Sequence, residues 1–416
     1  MAENVYSDLL YIDLLNIWSQ FFPTHDWNLL RARDRVKKFV EAAYNSGYSI
    51  SCFIDYSNST EEATEKWRSR RERDIRSGRR GVPIKFSVLL GDMFRSEGIS
   101  LHYSNGTDND DTLAAFAEID GAIILSGDKD FFRYEDSTFR LMDTVQVTED
   151  GLMILSQERL KEHVSTPSST RRLLREKPST LSYPEYTLGD KFMMGSPSPL
   201  TRQLNMSTNR ILTPLRHTVF AMEGVESLEE SYPEWDEENQ CVRWVEQMVY
   251  PVKDAECMSL LEAGSPIPAL SHFFPNEFDQ EGAVLPCPAS VSPQLWAKHC
   301  SCLRTSVYEL FLWAKSVGVE PSAQQCLFDY IVEHGGGRED AFDPKSESPS
   351  RFKSYEVRCV KCSRTFTFSA AEQEFFESKG FTPPKNCKPC KAASKTSRET
   401  FRGHQSWAPK PTSGFY

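Results

Sequence analysis

The sequence predicts an α/β fold, a parallel sheet flanked by helices, followed by a helical extension and a small ribbon built on cysteines. Three observations predict it. Short apolar runs alternate with helical stretches through residues 1–160, helical character returns over 211–335, and two C-x-x-C pairs stand within 355–392. Strands that are apolar on both faces belong to parallel sheets covered by helices, because a strand between two helical layers has no solvent side.

The elements follow in order. Residues 9–14 (LLYIDL) predict a first strand, and 29–43 a helix with Leu30, Val36, Phe39, Val40 and Ala43 in helical spacing. Residues 49–55 (SISCFID) are β-branched and apolar, 86–96 are helical, 99–103 form a short strand, and 112–119 are helical again. Residues 121–125 (GAIIL) predict a strand buried on both sides. Residues 164–210, rich in Ser, Thr, Pro and Arg, read as a linker. Within 211–335, Leu215, Arg216, Val219 and Phe220 match the spacing of Leu303, Arg304, Val307 and Tyr308, either by chance or as a weak repeat. The aromatic residues of 306–316 read as core. Residues 336–354 form a second linker, and 393–416 a disordered tail.

A length of 416 residues allows two or three domains, and 39% apolar residues suffice for a real core. The net charge of −11 excludes a globally basic nucleic-acid binder but not a local basic patch. No 18-residue apolar run is present, so no membrane helix is expected. The N-terminus lacks the basic region of a signal peptide, and the eleven cysteines are odd in number. An intracellular protein, nuclear or cytoplasmic, is expected. The eight histidines are scattered without ligand spacing.

Acidic residues stand where strands end. Asp13 closes the first, Asp55 the second, and Asp128 and Asp130 follow GAIILSG. In an open parallel sheet the carboxyl ends of the strands share one edge, where sites form. The stretch 107–111 (TDNDD) adds acids ahead of a helix, with Thr107 a candidate cap. Each acid alone could be a turn or capping residue. Together they would repel one another without cations. Mg²⁺ or Mn²⁺ takes such hard oxygen ligands, and two ions can support phosphodiester hydrolysis.

YIDLLNIWSQF, CFIDYSN, DNDDTLAAFA and above all DGAIILSGDKDFFRY resemble the motifs of the PIN-like, flap-endonuclease superfamily. Within it, the chain is most similar to Asteroid-type proteins. The resemblance covers residues 8–134, about a third of the chain. It implies a PIN-like nuclease core over 1–160. It also implies catalytic metal ligation by Asp13, Asp55, Asp108, Asp110, Asp128 and Asp130, with Asp111 a neighbour. Leu14 and Tyr56 stand where the family carries small residues, and neither its late acid nor its helix–hairpin–helix is evident.

Residues 65–85 (EKWRSRRERDIRSGRRGVPIK) hold nine Lys or Arg against three acids. The family places its helical arch here. Arginine grips phosphate with paired donors and tryptophan can stack on a base, so Lys66, Trp67, Arg68, Arg70, Arg71, Arg79 and Arg80 are the expected nucleic-acid contacts. The alternative is a solvated helix with internal pairs such as Glu72 with Arg76.

Cys359-x-x-Cys362 and Cys387-x-x-Cys390, 24 residues apart, have the spacing of a structural zinc site. Phe366 and Phe368 alternate as in a strand, and 369–372 (SAAE) reads as a capping box. The segment resembles the probable zinc-binding treble-clef family, with Gln373, Phe375, Phe376, Lys379 and Gly380 in its core. Four thiolates close the site, so the zinc is structural.

The sequence therefore suggests an Mg²⁺- or Mn²⁺-dependent nuclease acting on DNA or RNA. The helical extension or the zinc ribbon could bind a protein partner. The alternative is a catalytically inactive nuclease-like protein that binds RNA or serves assembly in post-transcriptional regulation.

Overall fold

Five apolar segments become parallel strands, β1 (Asp8–Asp13), β2 (Tyr48–Ile54), β3 (Ser100–Ser104), β4 (Ile123–Leu125) and β5 (Arg140–Met142). They come from a computed structural model of the chain. It describes residues 8–23, 26–56, 61–77, 85–134, 136–157, 170–183, 191–193, 208–236, 238–318, 326–334, 355–368, 373, 382–387 and 390. After a hairpin of β6 (Thr144–Val147) and β7 (Met153–Ser156), β8 (Thr180–Leu181) joins the sheet antiparallel to β3. The strand order is β5-β4-β1-β2-β3-β8.

Alternation along the strands sends side chains to both faces. Leu10, Ile12, Cys52, Ile54, Ile123 and Leu125 join the core on one face, with α1 (Leu29–Asn45) and α3 (Phe86–Ser96). Tyr11, Phe53 and Ile124 face the other way, against Leu113, Ala114 and Ala117 of α4 (Asn109–Asp120). The small residues of α4 let that helix lie close to the sheet. Two helical layers cover one mostly parallel sheet, as the apolar strands predict. α2 (Glu61–Ser77) lies between β2 and α3 in the chain.

The region 211–335 departs from the expected helical extension. After a short α5 (Thr208–Ile211) and α6 (Thr213–Met222), the chain forms the antiparallel pair β10 (Leu228–Asp236) and β11 (Cys241–Val249). β9 (Lys191–Met193) pairs parallel to β10. Acids and Pro233 hide the strand signal of β10. A buried charge network beside the strand explains why it forms there. Arg216 of α6 donates to both oxygens of Glu230, at 2.6 and 3.1 Å, and His217 lies 3.2 Å away. Burial pushes the Glu230 carboxyl up, but the adjacent His217 and the hydrogen bonds from Arg216 overcome it and leave it at about 2.

Four helices follow, α7 (Ala255–Glu262), α8 (Ile267–Phe273), α9 (Pro293–Gly318) and α10 (Leu327–Glu333). Their apolar faces enter the same core as α1 and α3, so 1–160 and 211–335 share one core rather than forming separate domains. The echoed sets fall on α6 and α9, and all eight residues are buried, with Phe220 edge-on to Trp313. Buried Asp92 of α3 accepts from Leu327 N at 2.8 Å, capping α10 across 235 residues. Two compact units divide at Pro344 and Lys345. The linker 336–354 and the tail 393–416 lie outside the described residues, but the linker 164–210 does not wholly. Its stretch 170–183 adds β8 to the sheet.

Removing one partner of a fully buried ion pair strands the other charge in the core. Glu230→Ala should therefore cost about 3–5 kcal/mol, read as a lowered urea midpoint. A variant that unfolds like the parent would show that the network does not hold the hairpin.

Candidate metal and nucleic-acid site

The chain passes from β1 through β2 to β3 on one side and then returns to β4 on the other side of β1. That reversal opens a crevice at the carboxyl ends of the strands. Asp13 is the last residue of β1 and Asp55 follows β2 directly. Ser126 follows β4, and Asp128 lies two residues beyond. After β3 the chain enters α4, whose cap is Asp108 and not the expected Thr107, since Asp108 Oδ1 accepts from Asp110 N at 2.9 Å. Gly121, at φ +66°, ends the helix in a left-handed turn that a glycine adopts freely.

Short hydrogen bonds fix the edge. Ser126 Oγ donates to Asp13 Oδ2 at 2.9 Å and accepts from Asp128 N at 3.1 Å. Asn16 Oδ1 accepts from Gly127 N at 2.9 Å, and a Cβ at Gly127 would press on that same oxygen. Asp128 caps the 3-10 turn Lys129–Arg133 by accepting from Asp130 N at 3.0 Å.

Five of the six expected acids act on one another. Burial pushes Asp13 up to about 7, against the Ser126 hydrogen bond, and Asp128 and Asp55 add to the rise. Burial, then Asp108, Asp13 and Asp128, push Asp110 up to about 8, while Arg171 opposes them. Asp55 is raised by burial and Asp108, against Arg70 and Lys66. Asp130 is different, since its carboxylate is half exposed and pairs with Arg133 at 3.0 Å. Asp111 accepts from Tyr134 OH at 2.5 Å and from Arg171 at 3.1 Å.

α2 divides its charges between two faces. Arg68 donates to Ser231 at 2.9 Å, pairs with Glu246 at 2.9 Å and lies over the Trp244 ring. Trp244 Nε1 donates to Glu72 at 3.0 Å, and Ile75 is buried. Positions 68, 72 and 75 thus dock the helix on the β10–β11 hairpin, so Arg68 is a docking residue rather than an open phosphate contact. Lys66, Arg70 and Arg73 are exposed, offset from that row by two residues, roughly 200° around the helix. Lys66 and Arg70 reach Asp55 electrostatically. The Glu72–Arg76 pair forms at 3.5 Å. Arg79 and Arg80, and the side chains of Trp67 and Arg71, lie outside what the structure describes.

The motif around β4 already contained Ser126 and Tyr134. Nothing local marks Arg171, which lies in the stretch read as a linker. Among the described residues, no helix is long and apolar enough to cross a membrane.

In the second unit, β12 (Tyr355–Arg358) and β13 (Thr365–Phe368) form the hairpin that carries the first cysteine pair. Cys359 N donates to Arg364 O, and Ser363, at φ 59°, closes the knuckle. Gln373 Nε2 donates to Phe368 O at 3.0 Å. The capping box at 369–372 lies outside the described residues, as do Phe375, Phe376, Lys379 and Gly380. The four thiols of Cys359, Cys362, Cys387 and Cys390 all lie within 4.8 Å of one another. The N–H of Cys387 pulls Cys359 down to about 6, while hydrogen bonds with Cys362 and Cys387 push Cys390 up to about 12, so zinc would have to displace protons from the set on binding. Such a sulfur set fits structural zinc.

Asp13 and Asp110 set a pH dependence. A carboxyl raised in the folded state holds its proton while the unfolded chain has released it, so the fold weakens as pH rises between the two values. Without divalent ions the first unit should lose thermal stability from about pH 4 to about pH 8, and Asp110→Asn should reduce that loss, most clearly toward its upper end, where Asp13, Asp92 and Glu309 contribute less. An unchanged slope in the variant would remove Asp110 from the cluster. Zinc chelation should abolish amide protection in the β12–β13 hairpin, measured by hydrogen exchange. Protection that survives complete zinc removal would show that the hairpin stands without the metal.

No curated protein matches the chain. Residues 355–399 match the family model of a probable treble clef domain. With its four clustered cysteines, the C-terminal module is a treble clef zinc-binding domain.

Proposed function

We propose that this protein is a metal-dependent nuclease of PIN-like type that hydrolyses phosphodiester bonds in DNA or RNA inside the cell. One observation carries the reading. Asp13, Asp55, Asp108, Asp110 and Asp128 act on one another at the switch point of a parallel sheet, and two of them are held near neutrality. Hard oxygen donors of this kind fit Mg²⁺ or Mn²⁺. When bound, such ions supply an activated water and stabilise the leaving oxygen.

The chain's own residues have separable tasks. Asp13, Asp55, Asp108, Asp110 and Asp128 would hold the ions. Ser126 orients Asp13 and, through the Asp128 N–H, the loop that carries Asp128. Lys66 and Arg70 place positive charge beside Asp55 and would meet backbone phosphates. These contacts carry no sequence information, which suits a substrate recognised by its backbone.

A second reading is a non-catalytic nucleic-acid-binding protein. Among the described residues, the four thiols form the only set of three or more ligand atoms all within 4.8 Å. The carboxylates stand wider apart, and Asp108 and Asp130 already face arginines.

Labelled single-stranded and flapped DNA and RNA, incubated with Mn²⁺, Mg²⁺ or EDTA, separate the two readings. Cleavage should require metal, and the Asp110→Asn variant and the Asp128→Asn, Asp130→Asn double variant should each lose roughly a hundredfold or more in rate. Binding without cleavage by the wild-type protein, unaffected by EDTA, would establish the second reading.

A further inference from the structure

Residues 170–183 reach the acidic edge as a strap tied down at four places. Arg171 N donates to Arg133 O at 2.7 Å, making a parallel bridge beside Tyr134. Lys177 pairs with Asp120, the last residue of α4, at 2.7 Å and lies over the Phe116 ring. Thr180 and Leu181 extend the sheet along β3. Arg95 of α3 donates to Ser182 O and lies 4.6 Å over the Tyr183 ring. These anchors set the position of Arg171 without help from its own side chain.

That side chain then turns toward the acids. Nη1 lies 3.1 Å from Asp111 Oδ1, 3.5 Å from Asp108 Oδ1 and 3.4 Å from Tyr134 OH. All three contacts fall on Nη1. A guanidinium carries five N–H donors in a planar fork. Among the described residues Nε and Nη2 have no partner, and the side chain is 25% exposed. The Nε–Nη2 edge is the side-on fork that matches two oxygens of a phosphate. A lysine would suffice to neutralise Asp108 and Asp111. It could not offer a second, parallel pair of donors.

We infer that Arg171 is a phosphate-binding residue of this site, with Nη1 bracing Asp108 and Asp111 while the Nε–Nη2 edge takes two oxygens of a nucleic-acid backbone phosphate. The inference rests on the nucleic-acid reading of the site but not on cleavage, since a phosphate can be held without being cut. It places a fixed cation on the α4 side of the acids, whereas Lys66 and Arg70 of α2 act on Asp55.

The test uses the full chain and a labelled single strand. Arg171→Lys keeps a cation beside Asp108 and Asp111 and should leave thermal unfolding unchanged. It should weaken strand binding, measured by anisotropy in EDTA and in Ca²⁺, by about tenfold. Replacing single phosphates along the strand with neutral methylphosphonates should reveal one position that weakens the wild-type protein but costs the variant nothing further. Arg171→Ala should lose at least as much binding as Arg171→Lys. A lysine variant that binds every strand like the wild type would reduce Arg171 to a structural brace and overturn the inference. So would an equal methylphosphonate penalty in both proteins at every position. Tight binding with no cleavage by the wild type would defeat the nuclease reading and leave the Arg171 result standing.

Discussion

β1 pairs in parallel with β2 on one side and β4 on the other, and the acidic edge follows from that arrangement. Parallel neighbours end on the same edge. Each strand that closes on an acid therefore delivers it to a common rim, with no long loop needed to reach it. Both faces of the sheet are covered, and polar groups that follow all three strands meet at this rim. The Ser126 bridge between Asp13 and the Asp128 N–H ties β1 to the turn after β4.

Gathering carboxylates has a cost, and the surroundings show how it is limited. Asp13 and Asp110 are held near neutrality, so the cluster need not carry its full charge. Asp108 and Asp128 spend an oxygen each on capping a helical turn, where backbone N–H groups favour negative charge. Arg171, Lys66 and Arg70 oppose the remaining charge from two sides. On the proposed reading, a site built this way would receive cations and an anionic polymer at once.

Long-range polar contacts decide how the second half of the unit packs on the first. The Arg216–Glu230 pair fixes the hairpin to α6, and the hairpin in turn seats α2 through Arg68, Glu72 and Ile75. That seating leaves Lys66, Arg70 and Arg73 exposed. Asp92 performs a similar task for α10. The orientation of the basic helix is thus set by residues far from it in sequence.

Period-two apolar strands, helical spacing in α1 and α3, acids at strand ends and the cysteine spacing are local patterns. They sufficed for the α/β class, the strand-end acids and the zinc ligands. The bounds of α3 and the strand at Ile123–Leu125 were legible for the same reason. Other features exist only through contacts distant in sequence. Strand β10 of the β10–β11 hairpin opposes its local propensity, and a buried charge network accompanies it. Arg68 carries the same chemistry as Arg70, and only packing against Trp244 separates docking from exposure. Arg171 sits in a Ser-, Pro- and Arg-rich stretch with no periodicity, and a strap anchored on α3, α4 and β3 brings it to the acids. Local pattern determines most of the sheet's strands and helices and the residues that end them, because it acts through backbone and solvent, whereas β8 and β10 form through distant contacts. Which charges meet is decided by tertiary structure, because a charge pair depends on distance in space.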